Sequence, residues 1–440
     1  MTQTKLAAVV MAGGLGTRIR SAVPKHLHPI LGRRMVDWVL EAARPLAPAR
    51  LVVVASPESR DEFGEVEVAV QERALGTGDA IAAARGALEG ATDEILVLSG
   101  DTPLLTSGLL AEFVEVHRGA GADATVLTFE PADLRSYGRV LRGGDGQVRA
   151  IVEAADATPD ELVVRECNSS IYLFRADLLW SAVDRLRPAN AQGELYLTDA
   201  VRELAESGAS VGAHRAGDPA EAEGVNTRVE LAAAAALLRG RINREHMLAG
   251  AAIVDPDSTW IEAEVELEPD CVLYPFTVLR GRTRVAAGAE VGPHAVAIDS
   301  TIGAAATVGP FCYLRPGTVL EAGAKAGTFV EIKNSHIGAR TKVPHLSYIG
   351  DADIGEDSNI AASNVTVNFP HEPGRPKGRT TIGRNVRTGV DNAFVAPVTI
   401  GDDAWIGAGS VITEDVPPNA MAIARARQVT KEGRGGKRND

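Results

Sequence analysis

The sequence is poor in the residues that staple or fill a small core. It holds three cysteines in 440 residues, Cys167, Cys271 and Cys312. They are scattered, without the spacing of a metal site or a disulfide framework, and read as the reduced thiols of a cytoplasmic protein. Aromatic residues make up only 4% of the chain, so its interior has to be built from smaller side chains. No apolar run approaches the roughly 20 residues a membrane helix needs. The opening MTQTKLAAVVMAGGLG breaks into glycines after a short apolar run, unlike a signal peptide. Positive charge is also scarce. A net charge of −13 argues against a bulk nucleic-acid binder, which needs a basic face. Neither a membrane nor a nucleic acid is therefore expected as a partner.

Glycine, in contrast, is abundant at 45 residues, and 45% of the chain is hydrophobic. Large cores are possible, and many tight turns are expected. The length suits two or three domains, and two different patterns divide it. Residues 1–227 alternate strand-like and helix-like segments. KLAAVVMA, ARLVVVAS and EILVLSGD are short apolar runs of the kind that form buried parallel strands. RMVDWVLEAARPL has helical spacing through Met35, Val36, Val39, Leu40 and Ala43. This predicts an open, Rossmann-like α/β sheet with ligands beyond the carboxyl ends of its strands. Residues 228–249 read as a connecting helix, with apolar positions at Leu231, Ala234, Ala235, Leu238 and Ile242.

From residue 250 to 425 the period shortens. Ile302, Val308, Leu314, Leu320, Ala326 and Ile332 are each six residues apart, and Ile382, Thr388, Phe394, Ile400, Ile406 and Ile412 repeat the step. This hexapeptide repeat is the signature of a parallel β-helix, with the apolar residue pointing inward. So narrow a prism has no room for a deep pocket. Its sites must lie on outer faces, commonly where prisms meet, which argues for an oligomer. The tail, residues 426–440, is basic and glycine-rich, and mobility is expected there.

Two constellations carry chemistry. In the first half, VMAGGLGTRIRSAVPKHLHPILGRRM follows the first strand. Gly13, Gly14 and Gly16 let backbone amides approach phosphates, and Arg18 and Lys25 can neutralise their charge. The stretch lacks the Gly-Lys-Ser/Thr ending of a Walker loop. Gln71, Gly76 and Thr77 in VQERALGTGDA could read a base edge, and Asp101 ends a strand where a carboxylate can hold Mg²⁺. In the second half, TKVPHLSYIGDADIG sets His345 and Tyr348 inside a monotonous repeat.

The order and wording of these motifs closely resemble those of the bacterial bifunctional N-acetylglucosamine-1-phosphate uridylyltransferase/glucosamine-1-phosphate N-acetyltransferase family, from Leu6 to about Gly433. The resemblance implies a nucleotidyltransferase domain followed by a left-handed β-helix acetyltransferase, assembled as a homotrimer. It implies that Met11, Ala12, Gly13, Gly14, Lys25, Gln71, Gly76 and Thr77 bind UTP. Ser99, Gly100, Gly138, Glu153 and Asn168 would contact nucleotide and sugar, and Asp101 and Asn226 would hold Mg²⁺. In the β-helix, His345 would be the general base, and Arg315 and Lys333 would grip a sugar phosphate that Tyr348 and Asn359 orient. Ala362, Asn368, Phe369, Val390, Ala408 and Arg425 would take acetyl-CoA.

The chain also departs from the family. Where the family usually reads Asn-Tyr-Asp-Gly, this sequence has NFPHEPGRPKGRT, with Phe369 lacking the tyrosine hydroxyl, Pro370 at the acidic position, and Pro373 and Pro376 stiffening a lengthened loop. Val390 stands where serine is common and Ser170 where glycine is usual, while Gly13 and Leu15 replace alanine and lysine. The early β-helix reads about one coil short. These changes motivate a second reading, a paralogue of altered sugar or acyl-donor scope or one that retains only nucleotidyl transfer. A third reading, from another class, is a non-catalytic trimeric scaffold that binds a sugar nucleotide.

Overall fold

A computed structural model describes residues 4–432 and 434, apart from 15, 65, 135–136, 371–373 and 375. Leu15, Pro373 and the last residues of the tail, named above, lie outside the described residues. The chain divides into two compact units, Met1–Leu238 and Arg239–Asp440. The division falls inside a helix, Arg228–Leu248, whose stripe of Ala234, Leu238 and Ile242 is buried.

The first unit is built on one twisted sheet. Its strands run in the order Val211–Arg215, Ala124–Phe129, Cys167–Arg175, Glu94–Ser99, Leu6–Ala12, Arg50–Ala55 and Glu67–Val70. The three apolar runs noted above are adjacent and parallel, Leu6–Ala12 lying between Arg50–Ala55 and Glu94–Ser99. Every residue of Leu6–Ala12 is buried, because helices cover both faces of the sheet. The predicted helix is Met35–Ala43, packed through Met35, Val36, Val39 and Leu40.

One strand departs from the parallel expectation. Cys167–Arg175 runs antiparallel to both of its neighbours. It therefore begins where the parallel strands end, which delivers Asn168, Ser169 and Ser170 to the carboxyl edge of the sheet. A break in register between Asn168 and Ile171 splays this segment open. Ser170 sits there at φ +61°, a left-handed conformation, and its N–H donates to the Asn168 side chain at 3.1 Å. Serine holds the turn that glycine would adopt more freely.

The second unit is a parallel β-helix. Its strands stack into three parallel sheets, and each inward residue sits over its counterpart one coil on. Ile302 lies against Leu320, Val308 against Ala326 and Leu314 against Ile332, all essentially excluded from solvent. The corners carry a second set of buried residues that the hexad pattern does not reveal. Thr277, Thr283 and Thr318 turn their hydroxyls inward and donate at 2.7 Å to carbonyls three residues earlier. Each corner thus satisfies a backbone acceptor that the turn would otherwise strand. Near the start, the fully buried Asn243 donates to the carbonyls of Pro256 and Thr259, at 2.8 and 3.0 Å, and fastens the helix end to the first coil.

The stack is interrupted once. Tyr348 pairs with Val365, but on the next side Ala352 pairs with Thr380. The described residues between Val367 and Thr380, Asn368, Phe369 and Lys377 among them, belong to no strand and form a loop beside the prism.

Candidate functional sites

In the first unit, the carboxyl ends of the central strands open into a cavity of about 560 Å³. Its lining includes Met11, Gly13, Gly14, Arg18, Lys25, Gln71, Gly76, Thr77, Ser99, Asp101, Gly138, Glu153, Asn168 and Asn226. Of the nucleotide and sugar residues predicted from the sequence, only Ala12 and Gly100 do not line it, and both adjoin residues that do. Gly76 adopts φ +116°, and a Cβ there would come within 2.5 Å of the Leu195 carbonyl. The segment is clamped to its neighbour by Gly78 N–H to Leu195 O at 2.7 Å and Leu197 N–H to Thr77 Oγ1 at 2.9 Å.

At the floor of the cavity Lys25 Nζ forms an ion pair with Asp101 and donates to Asn226 Oδ1 at 3.1 Å. Arg18 Nη2 donates to the same Asn226 oxygen at 2.9 Å. Ser99 Oγ donates to the other Asp101 oxygen at 2.7 Å, and the Val225 N–H donates to the Asp101 carbonyl at 2.8 Å. Burial alone would push the Asp101 carboxyl up. The Lys25 charge and the hydrogen bonds from Lys25 and Ser99 outweigh it and hold the group down at about 2. Asp101 is therefore a carboxylate at any physiological pH. A carboxylate oxygen and an amide oxygen that already converge on one ammonium make a donor pair suited to a hard divalent cation, completed by phosphate oxygens and water. Among the described residues, no group of three or more His, Cys, Asp or Glu could hold a metal ion without such help.

Asn226 owes its position to the start of the following helix. Glu230 accepts from the Asn226 and Thr227 N–H groups at 2.6 and 3.0 Å, and Thr227 Oγ1 accepts from the Glu230 N–H at 3.2 Å. This is a capping box, legible as Thr-x-x-Glu, and Glu230 also lines the cavity. Another residue missed from sequence is His26. It is buried beside Lys25, and burial first, then the Lys25 charge, lower its pKa to about 4, so it is neutral here.

At the far side, Glu153 is raised above the usual carboxyl range by burial, opposed by a hydrogen bond from Thr198 and reinforced by the nearby charges of Asp156, Asp199 and Glu194. Asn168 is largely occupied internally, donating to Tyr172 Oη at 2.8 Å and accepting from Ser170.

In the second unit, His345 ends the strand Lys342–His345 and is exposed, not packed in the prism. The Ser363 N–H, one coil on, donates to its carbonyl at 3.4 Å. Arg315 pairs with Glu331 at 2.8 Å, and Lys333 pairs with Gly350 across the sheet. Lys333 is pulled below the usual lysine range, first by contact with Lys377 and its charge, then by slight desolvation and Arg315, while Asp351 opposes. Three cations thus crowd one face, an arrangement that favours an anion between them. Tyr348 folds over Gly350, where a Cβ would collide with its hydroxyl. Asn359 bridges Lys342 and Arg387 on neighbouring coils.

The residues assigned to acetyl-CoA divide into two groups. Ala362, Val390, Ala408 and Arg425 form one ascending column. Asp391 N–H donates to Ala362 O at 3.0 Å, Gly409 N–H to Val390 O at 2.8 Å, and Arg425 Nη1 to Ala408 O at 2.7 Å. Asn368 and Phe369 lie apart in the loop. Asn368 is buried with its amide turned onto Asp351, while Phe369 is exposed.

A cavity at the strand ends, walled by glycines and floored by Lys25 and Asp101, defines a nucleotidyltransferase. Residues 8–168 match the MobA-like NTP transferase domain family. Over the whole chain the likeness is narrower. The chain is 47% identical to the bifunctional protein GlmU of Mycobacterium tuberculosis (strain ATCC 25177 / H37Ra), covering 96% of this chain and 90% of the relative. It is 47% identical to the protein of that name from Streptomyces avermitilis, over 97% and 93% of the two chains. For the Corynebacterium aurimucosum relative the figures are 45%, 98% and 93%. The chain belongs to the bifunctional GlmU family and is an enzyme. No described helix is long and apolar enough to cross a membrane.

Proposed function

We propose that the chain makes UDP-N-acetylglucosamine by two reactions at the two sites described above: acetylation of glucosamine 1-phosphate in the β-helix and uridylyl transfer in the α/β unit. The observation that carries this reading is the coexistence of two built sites of different chemistry, one cavity around Lys25 and Asp101 and one cationic face beside His345.

In the β-helix, Arg315, Lys333 and Lys377 hold the sugar phosphate, and Tyr348 and Asn359 orient the ring. A ring nitrogen of His345 removes a proton from the amine as it attacks the acetyl thioester. The C–N bond forms, the C–S bond breaks, and CoA leaves. Histidine suits the task because its ordinary pKa lies near working pH. The column from Ala362 to Arg425 takes the acetyl donor.

In the α/β unit, the 1-phosphate oxygen attacks the α-phosphorus of UTP and pyrophosphate departs in line. The glycine loop admits the phosphates, Lys25 and Arg18 spread their charge, and Glu153 and Asn168 orient the sugar. Mg²⁺, held by Asp101 and Asn226, would supply further neutralisation of the phosphates. The two substrate sets and the three buried free thiols suit the cytoplasm. The outer-face position of His345 suits a homotrimer, in which prisms meet at the site.

The test is selective metal removal. EDTA is expected to stop pyrophosphate release, with recovery on adding excess Mg²⁺, and to leave CoA release unchanged. Loss of CoA release in EDTA would mean that the acetyl site is wrongly drawn. Undiminished pyrophosphate release would remove Mg²⁺ from the scheme.

A further inference from the structure

We infer that Asp79 is a positioning residue for base selection: it locks the Gln71 amide so that the cavity accepts a pyrimidine carrying an N3–H. The inference rests on the reading of this cavity as a nucleotide site. The Gln71 backbone is pinned at the end of a strand, its N–H donating to the Ala55 carbonyl at 2.9 Å. Its side chain is buried, and Nε2 donates to Asp79 Oδ2 at 2.8 Å and to the Gly76 carbonyl at 3.1 Å. Both neighbours accept hydrogen bonds and neither can donate one. The atom between them must therefore be the nitrogen, and the amide cannot turn over without setting its oxygen against a carboxylate and a carbonyl.

The Oε1 atom is left facing Gly13, where a Cβ would lie 2.6 Å from it, and both residues line the cavity. Among the described residues no donor reaches Oε1. The cavity thus offers a fixed acceptor at its base end. Uracil and thymine present a donor at N3, whereas cytosine presents an acceptor there. In an unlocked site the glutamine could rotate and donate to cytosine instead. With Asp79 ionised, that rotation loses a charge-assisted hydrogen bond and creates a repulsion. The other account of Asp79 is a plain acidic residue in the first turn of the helix Thr77–Ala83, which would affect folding but not the choice of base.

The experiment measures kcat/KM for UTP and CTP, by pyrophosphate release with N-acetylglucosamine 1-phosphate, in the full chain and in Asp79→Asn and Asp79→Ala. Asparagine keeps the shape but can donate as well as accept, so the lock is weakened to the single Gly76 carbonyl. The UTP:CTP ratio is expected to fall by about tenfold or more, mainly through the two KM values. Equal losses for both nucleotides in both variants, or an unchanged ratio, would overturn the inference and leave Asp79 a helix residue. If one variant fails to fold, the other decides. A parent enzyme that releases no pyrophosphate with either nucleotide would overturn the underlying cavity reading, a distinguishable result.

Discussion

His345→Ala is expected to lower kcat for acetyl transfer by about 10²–10⁴-fold, the range a positioned general base contributes, and to leave uridylyl transfer unchanged. The two activities separate because His345 belongs to the β-helix, whereas Lys25, Asp101 and Asn226 all lie in the first compact unit. The loss has a definite pH signature. The base takes its proton from an amine that attacks in its free form, and the supply of free amine rises with pH equally for parent and variant. The deficit against the parent enzyme is therefore expected to persist as pH rises. His345 is exposed and the Leu346 beside it is also exposed, so the substitution opens no cavity in the core and folding should hold. CoA release and pyrophosphate release, measured on the same preparation across a pH series, check the claim. A parallel fall in both activities would contradict the separation of sites.

Asp101→Asn is expected to act on the other reaction, lowering pyrophosphate release by about 10²–10³-fold, equivalent to about 3–4 kcal/mol of lost transition-state stabilisation. The substitution keeps the shape of the side chain but removes the carboxylate from the Asp101–Asn226 donor pair. It also leaves the Lys25 ammonium, whose side chain is 12% exposed, facing neutral amide groups in place of its carboxylate partner. Breaking such a pair from one side costs about 3–5 kcal/mol when the remaining charge is fully buried, and less here because Asn226 still accepts. Thermal stability of the α/β unit should therefore fall. The double variant Lys25→Met/Asp101→Asn separates the two effects. It removes both charges, so stability should return toward the parent value while activity stays lost. Recovery of activity in the double variant would contradict the assigned roles.

Much of this arrangement is legible in the order of the residues. The six-residue step places Ile302, Leu314 and Ile332 inside the prism because each short side turns its apolar residue inward at the same point of the repeat. The glycine loop and the apolar run before Asp101 point to the edge of an open sheet, and that is where the cavity lies. Other features depend on contacts between distant segments. The reversed strand Cys167–Arg175 gives no local sign of its direction, since a buried strand reads the same either way. Lys377 joins Arg315 and Lys333 only because the loop folds back onto the prism. Asn368 turns inward because Asp351 is there to receive it, a partner one coil earlier that no short motif reveals. Glu230 is the exception, since its Thr-x-x-Glu spacing is plain but carries no evident link to the cavity.

The departures at Phe369, Pro370 and Val390 fall in the region proposed for the acetyl donor, while Lys25, Asp101, Asn226 and His345 are all present. Any change of scope would accordingly appear first in the acyl donor. The most direct measurement supplies the purified chain with glucosamine 1-phosphate, acetyl-CoA, UTP and Mg²⁺ and follows the products by mass spectrometry. UDP-N-acetylglucosamine, formed together with free CoA and pyrophosphate, is the predicted result. Pyrophosphate release from N-acetylglucosamine 1-phosphate without any CoA release from glucosamine 1-phosphate, at saturating substrates, would contradict it and leave the β-helix with a different donor or none.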